Sequence, residues 1–279
     1  MAAGQHTQAG SWQALLDKGK VEEARRLCED WTKAKDLPKH VEAEKCLANV
    51  ELSGRSVLTL QGDDVGGGSL SGGYQPEAVD KALRHLETAL KLAPQDLSVH
   101  QGRLHLLEVS ARYDDMAKAL SNSLEIYTGP EGVDAWIPYT AELFELGQYR
   151  ASLKLLDILN KHSPNSHDVI GNIGAIHLKL KEDQEAIPFL EKAVELAPLD
   201  TIDVWNLARA YDFAGKDDLA EKWYKRALEI DSAQETRKHK ACVYATFVEN
   251  KRHDLNAACE LQTANCDKDE QSACSATKH

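Results

Sequence analysis

The sequence predicts an all-α protein, a solenoid of stacked antiparallel helix hairpins, and three observations support this prediction. Residues 167–200 and 201–234 align as two consecutive stretches of thirty-four residues, with Gly174 opposite Ala208. Repetition at such a fixed period is the signature of a repeat architecture. Within each stretch, apolar residues recur with helical spacing. The chain of 279 residues is long for one compact core but ordinary for about six or seven stacked hairpins.

Each stretch divides into two amphipathic helices joined by a short polar turn. In the second stretch, the first helix has apolar residues spaced i, i+3, i+4 and i+7, which are Val204, Leu207, Ala208 and Tyr211. Gly215 follows, and glycine readily takes the positive φ that ends a helix. Because one such hairpin cannot bury its own apolar face, its stability must come from stacking on its neighbours. A bulky charged residue at Ala208 is therefore predicted to cost several kcal/mol.

These repeats resemble the tetratricopeptide repeat (TPR) family. Gly174 and Ala208 occupy the small-residue position of the first helix, and Ala186 and Ala220 occupy that of the second helix. The resemblance implies a right-handed superhelix, the TPR superhelix, in which the first helices line a concave face. It also implies that the chain binds a segment of another protein on that face. The resemblance does not identify the partner, since one fold hosts many functions.

Outside these two repeats the same pattern is weaker but still assigns most of the chain. We predict a disordered N-terminus over residues 1–9, a single solenoid over 10–264 and a disordered tail over 265–279. The repeats are predicted at about 5–38, 39–95, 96–129, 133–166, 167–200 and 201–234, followed by capping helices over 235–264. Terminal repeats are expected to be irregular, because each of them lacks one neighbour.

The second repeat is predicted to contain an insertion between its two helices, residues 40–52 and 76–92. The intervening residues 53–75 are rich in Gly and Ser, which is typical of a flexible loop. No Lys-Ser or Lys-Thr pair follows these glycines, as a phosphate-binding loop would require. The insertion therefore predicts no nucleotide cofactor.

The third and fourth repeats deviate from the pattern in two ways. Arg103 stands at the small-residue position of repeat 96–129 and indicates a looser hairpin. Residues 129–132 form a spacer that breaks the period. Pro138 is predicted to lie near the start of the next helix, where proline is tolerated.

Composition and charge exclude several classes of partner. The chain has 33 Lys and Arg against 45 Asp and Glu, a net charge of −12, whereas nucleic acids and anionic membranes are bound by basic surfaces. There is no apolar run of about 18 residues, so no membrane insertion is predicted. The N-terminus lacks the basic segment and apolar core of a secretory signal. The six cysteines have no close spacing and are predicted to be reduced thiols in a cytoplasmic protein.

The resemblance also places particular positions of each first helix on the concave face. Asn172 and Asn206 share one such position, from which an amide can bind a peptide backbone. Trp205 and Phe213 offer stacking area, and basic side chains offer contacts to carboxylates. The predicted ligand is therefore an extended or acidic segment. The predicted groove residues are Asn172, Lys179, Trp205, Asn206, Arg209, Phe213, His239 and Lys240.

No metal, cofactor or catalytic site is predicted. Cysteine and histidine residues near the C-terminus are separated by gaps longer than the close pairs of structural zinc sites; they are His253, Cys259, Cys266, Cys274 and His279. Repeat helices present side chains on open surfaces, whereas catalysis needs a water-excluded pocket.

The predicted function is a non-catalytic scaffold or adaptor that binds a segment of a partner protein. Two alternatives remain open. The chain could be a chaperone or assembly factor dedicated to one client protein, or a regulatory subunit of an enzyme complex.

Overall fold

The computed structural model describes residues 10–53, 59–61, 69–71, 74–127 and 132–266. These residues are largely helical, and successive helices pair as hairpins, as the sequence predicts. The chain divides into two compact units, Met1–His162 and Ser163–His279. The single solenoid over 10–264 stays a prediction, and the predicted disorder of residues 1–9 falls outside the described residues.

The first unit contains helix hairpins in which proline lies at the start of some helices and glycine in some of the turns. Its helices are α1 (Gly10–Asp17), α2 (Val21–Thr32), α3 (Leu37–Leu52), α4 (Pro76–Leu92), α5 (Leu97–Val109), α6 (Tyr113–Ile126), α7 (Ile137–Glu145) and α8 (Tyr149–His162). Pro76 and Pro138 lie in the first turns of α4 and α7, where the missing N–H costs no helical hydrogen bond. Gly19 and Gly147 take positive φ in the turns after α1 and α7.

The insertion between α3 and α4 contains two short strands where the sequence predicts only a flexible loop. Strands β1 (Thr59–Gln61) and β2 (Ser69–Ser71) pair antiparallel, with Leu60 opposite Leu70. Both strands alternate polar and apolar residues, which is the period of a strand, and a Gly-rich stretch separates them in sequence. The high Gly and Ser content of residues 53–75 favours a loop, so the two short alternating segments were not predicted as strands.

Arg103, at the small-residue position of α5, points toward α4. Its side chain is 20% exposed, and its Nη2 lies 3.8 Å from Oε1 of Glu87. A long side chain can therefore stand at this position when its charged end reaches a carboxylate at the surface.

The second unit contains the two strong repeats and a cap. Its helices are α9 (His167–Lys179), α10 (Asp183–Leu196), α11 (Thr201–Phe213), α12 (Asp217–Ile230), α13 (Gln234–Phe247) and α14 (Leu255–Asn265). Gly174, Ala208 and Ala220 are buried, as close helix packing requires. No described helix of the chain has the length and apolarity needed to cross a bilayer.

The C-terminal cap is longer than the sequence predicts. Helix α13 continues into a π-helical turn, Val248–Arg252, before His253 takes a positive φ and the chain reverses. Asn265 ends α14 and Cys266 follows it, although both were assigned to a disordered tail. The rest of that tail, residues 267–279, lies outside the described residues.

Disulfides replace the reduced thiols that the sequence predicts, so that prediction is wrong. Cys28 in α2 bonds to Cys46 in α3, and Cys242 in α13 bonds to Cys266 after α14. Cys259 is disulfide-bonded as well, and none of the described cysteines is free. The paired cysteines are 18 and 24 residues apart, with Cα–Cα distances of 6.2 and 5.2 Å. Spacing along the chain did not show these pairs, because helix packing brings them together.

Candidate functional site

The candidate site is built on α9, α11 and α13, the first helices of the second unit. Ser166 caps α9 by accepting a hydrogen bond from the Val169 N–H at 3.4 Å. Asp200 caps α11 by accepting hydrogen bonds from the Ile202 and Asp203 N–H groups, each at 2.9 Å. Such caps satisfy backbone groups that a helix leaves unpaired, and they define where each helix begins.

Asn172 and Asn206 occupy equivalent positions on α9 and α11 and are both half-buried. Neither side-chain amide hydrogen-bonds to another described residue. An amide can donate two hydrogen bonds and accept two. Both amides therefore have hydrogen-bonding capacity left for a ligand, and their binding of a peptide backbone stays a prediction.

Trp205 and Lys240 are more deeply engaged in the protein than the sequence predicts. The Trp205 ring is half-buried and lies 4.9 Å from the Tyr224 ring, centroid to centroid. The Lys240 side chain is only 12% exposed, and its Nζ lies 2.7 Å from Oδ2 of Asp231. Asp231 already pairs with Lys240, so this lysine is less available to a partner carboxylate than the sequence predicts, and its contact with a partner stays a prediction.

Arg209 and Phe213 form a pair one helical turn apart on α11. The Arg209 guanidinium carbon lies 5.3 Å from the Phe213 ring centroid, a cation–π distance. Phe213 is 52% exposed, an uncommon exposure for so apolar a side chain. This pair offers both charge and apolar area to solvent. His239 is also exposed, near the start of α13.

A groove of about 790 Å³ lies where the C-terminal ends of α9 and α11 face α13 and its π-helical turn. We call it the α9–α13 groove. Of the eight predicted residues, Lys179 and Phe213 line it. The groove is lined by Leu178, Lys179, Lys181, Asp183, Asp212, Phe213, Val243, Thr246, Phe247, Asn250 and Lys251.

Sequence reasoning missed the α13 side of this groove. Thr246, Asn250 and Lys251 line it, although the prediction ended at Lys240. The same helix face, followed along α13 for two further turns, leads to Thr246 and Asn250. Lys251 lies in the π-helical turn, whose position depends on how α14 packs.

Lysine residues outnumber aspartates in the groove. Lys179, Lys181 and Lys251 line it together with Asp183 and Asp212. Lys251 Nζ lies 3.8 Å from Asp212 Oδ1, and the Tyr224 hydroxyl donates to Asp212 Oδ2 at 3.0 Å. Burial raises the pKa of Asp212, although the Tyr224 hydrogen bond and Lys251 oppose this shift. The groove therefore offers cationic groups beside an exposed aromatic ring.

Lys181 has a left-handed backbone in the turn after α9, with φ of 61°. In the turns after α7 and α11, glycines take this conformation, Gly147 at 74° and Gly215 at 70°. Ala111, after α5, and His253, before α14, also depart from glycine, with φ of 52° and 55°. A side chain in this region costs about 1 kcal/mol relative to glycine. Lys181 therefore makes the folded protein less stable than glycine would at the same position.

Disulfide bonds leave the described C-terminal cysteines without the free thiolates that a zinc site would need. Cys242 and Cys266 are joined to each other, and Cys259 is disulfide-bonded. A disulfide sulfur is not the thiolate that zinc needs.

Comparison with known families identifies the repeats. The model of a family described as Tetratricopeptide repeat matches residues 167–198 and 204–234, which carry α9 to α12. Residues 167–198 and 204–234 are therefore tetratricopeptide repeats. The fold of TPR proteins is typical of protein–protein interaction, and members of the family are generally scaffolds without catalytic activity.

Several solved structures are similar to this chain at low sequence identity, and one of them, with a TM-score above 0.5, shows the same fold. The C-terminal part of a TPR repeat-containing protein from Cytophaga hutchinsonii matches with a TM-score of 0.55 and 13% identity, over 95% of this chain and 99% of that chain. MamA from Desulfovibrio magneticus RS-1 matches with a TM-score of 0.48 and 20% identity, over 60% of this chain and 92% of that chain. YrrB, described as a TPR protein with an unusual peptide-binding site, matches with a TM-score of 0.43 and 15% identity, over 83% and 97%. No curated protein matched the chain.

Proposed function

We propose that this TPR protein is a non-catalytic adaptor that binds an extended or helical segment of a partner protein in the α9–α13 groove. The observation that carries the proposal is Lys181, a lysine at a turn position that favours glycine, facing a groove with an exposed Phe213. Backbone strain of this kind is most often kept at functional sites.

The chemistry of the groove favours an acidic segment that carries one large apolar side chain. Phe213 provides the apolar contact, and Lys181 makes no ion pair with any described residue. Lys251 is partly neutralised by Asp212 at 3.8 Å, so Lys181 is the better partner for a carboxylate. The amides of Asn172 and Asn206, with Arg209, would bind the segment further along the same helices.

The test uses peptides selected by display on the immobilised full-length protein. One selected peptide is synthesised, labelled and titrated by fluorescence anisotropy. Lys181→Gly should weaken its binding about tenfold, and Phe213→Ala should weaken it at least tenfold, the range of central interface contacts. Selected peptides should be enriched in Asp and Glu beside an aromatic or aliphatic residue.

Ala111→Gly is the matched control. It removes the same kind of backbone strain in the turn after α5, so both glycine variants should unfold at higher temperature than wild type. Only Lys181→Gly should lose affinity. Equal affinity of the peptide for wild type, Lys181→Gly and Phe213→Ala would rule out the groove as the binding site.

The disulfides also bear on the compartment. The sequence predicts reduced thiols in the cytoplasm because it shows no secretory signal and no close cysteine spacing, whereas disulfides persist mainly in oxidising compartments. We therefore propose that the protein works where its cysteines stay oxidised. The protein is unfolded without a reductant and treated with an alkylating reagent, which should modify none of Cys28, Cys46, Cys242 and Cys266. Full modification of these cysteines would favour the cytoplasm.

A further inference from the structure

Three potential metal ligands come together in the first unit, away from the α9–α13 groove. His105 and Glu108 lie three residues apart on α5, so they share one helix face, and Glu142 comes from α7. One ligand atom from each residue lies within 4.8 Å of the other two. Two separate helices therefore direct an imidazole and two carboxylates toward a common point.

Glu108 is the unusual member of this group. Its side chain is 1% exposed, and neither carboxylate oxygen has a hydrogen-bond partner among the described residues. A carboxylate removed from water without hydrogen bonds is strongly disfavoured, and buried charges in proteins are generally paired or bound to a metal. The structure of this region thus leaves a buried carboxyl group whose oxygens accept no hydrogen bond from the described residues.

The neighbouring protein groups do not supply that hydrogen bond. Nδ1 of His105 lies 3.5 Å from Glu108 Oε2, too poorly placed for a hydrogen bond. The Tyr139 hydroxyl donates elsewhere, to the Gln101 carbonyl at 3.1 Å. Glu142 adds a second negative charge. Burial raises the pKa of Glu108, His105 opposes this shift, and Glu142 reinforces it.

We propose that His105, Glu108 and Glu142 bind a divalent transition-metal ion of the Zn²⁺ type. One imidazole nitrogen and two carboxylate oxygens suit Zn²⁺, and two carboxylates neutralise its charge. Ligand atoms around Zn²⁺ lie about 3.3 Å apart, so the group must contract slightly. His105 and Glu142 are exposed and can turn inward to Glu108, which its burial holds in place. Water completes the coordination.

A second group of ligand type, in the second unit, is a weaker candidate. It consists of His167, Asp200 and Asp203. Asp200 already accepts two backbone hydrogen bonds as the cap of α11, and Asp203 Oδ2 lies 3.5 Å from His167 Nδ1. Because Asp200 already accepts these hydrogen bonds, this group provides a control site.

The test measures Zn²⁺ binding to the metal-free full-length protein by isothermal titration calorimetry, together with the Zn²⁺-induced change in unfolding temperature. Wild type should bind about one Zn²⁺ with a saturable rise in unfolding temperature, since a ligand of the folded state stabilises it. Glu108→Gln keeps the shape of the side chain but removes its charge. It should weaken Zn²⁺ binding at least tenfold and abolish that rise, as should His105→Asn.

Two measurements separate metal binding from a structural role. Without metal, Glu108→Gln should unfold at the same temperature as wild type or higher, because it removes a buried carboxylate that accepts no hydrogen bonds. Co²⁺ should produce visible absorption bands in wild type and in the control variant His167→Asn, but not in Glu108→Gln. Equal Zn²⁺ affinity of wild type and Glu108→Gln would overturn the proposal, as would loss of binding in His167→Asn alone.

Discussion

At the scale of single residues, Gly174 shows how closely α9 approaches α10. A Cβ placed on this glycine would lie 2.5 Å from Leu190 Cγ, closer than real side chains approach. Leu190 is fully buried and cannot move freely aside. A small residue is therefore required at this position of the repeat because the paired helix α10 lies so close.

Gly174→Ala is expected to destabilise the protein by about 1–3 kcal/mol through overpacking. Gly102→Ala is the matched control, because Gly102 also lies inside a helix but its Cβ would meet nothing within 4 Å. There, alanine should stabilise the helix by about 0.5–1 kcal/mol. Urea unfolding of both variants measures the difference, and an equal effect at the two positions would contradict the close packing at Gly174.

A second residue, Asp203, gives the second unit a dependence on pH. Its side chain is 9% exposed, next to Gly171 on α9, and a Cβ on that glycine would overlap the Asp203 carboxylate. Burial raises the pKa of Asp203 to about 6, the nearby Asp200 adds to this, and His167 opposes it. Because the folded state binds the proton more tightly than the unfolded chain, ionisation of Asp203 costs stability.

The contribution of Asp203 should therefore be most favourable below pH 4 and decrease as the pH rises through about 6. Asp203→Asn should remove this loss. The free energy of unfolding of the variant minus that of wild type should therefore be about 2 kcal/mol larger at pH 7.5 than at pH 4. Urea unfolding at both pH values is the measurement. Asp168→Asn, at an exposed neighbour, is the control and should change the profile little. Parallel pH profiles for Asp203→Asn and wild type would show that the carboxylate is not desolvated.

At the scale of elements, covalent bonds tie the helices at both ends of the described chain. Cys28 and Cys46, both fully buried, join α2 to α3. Cys242 and Cys266 join α13 to the end of α14. Terminal elements of a repeat protein have a neighbour on one side only, so a cross-link can replace part of the missing packing.

Removal of the first bond in the double variant Cys28→Ala, Cys46→Ala should lower the free energy of unfolding by about 3 kcal/mol. The chain-entropy relation gives this value for a closed loop of 18 residues. Thermal and urea unfolding of the variant and wild type, without reductant, provide the measurement. A reductant should bring wild type toward the variant, and unchanged stability in the variant would show that the bond does not form.

At the scale of the whole molecule, the second unit has a core of its own. Its buried cluster extends from Leu178 to Ala258 and includes the aromatic residues Tyr211, Tyr224 and Phe247. The Tyr224 ring lies 5.4 Å from the Phe247 ring, which links α12 to α13. Because these contacts stay within residues 163–279, the unit holds the features that allow independent folding.

A fragment of residues 163–279 should therefore fold alone and keep the helical circular dichroism and cooperative unfolding of an α-helical domain. The same fragment with Tyr224→Ala should lose about 3–5 kcal/mol, since it leaves a large cavity in that core. Leu199→Ala, at a side chain that is 70% exposed, is the control and should have little effect. A non-cooperative melt of the parent fragment would show that its stability depends on the first unit.

The sequence by itself determined the helical class and the repeat, because Gly174, Ala208 and Ala220 show the close-packing positions in linear order and hairpin packing is local. It also placed Asn172 on the first helix of one repeat, and Asn206, Arg209 and Phe213 on the first helix of the next, since residues on one helix face follow a period of 3.6. Only the tertiary structure decided what distant residues do to each other. It paired Lys240 with Asp231, joined the cysteines, extended the groove to Lys251 and brought Glu142 to Glu108. The physical reason is that ion pairs, disulfides and ligand groups depend on distances of a few ångströms between separate helices, and those distances exist only after the helices have packed.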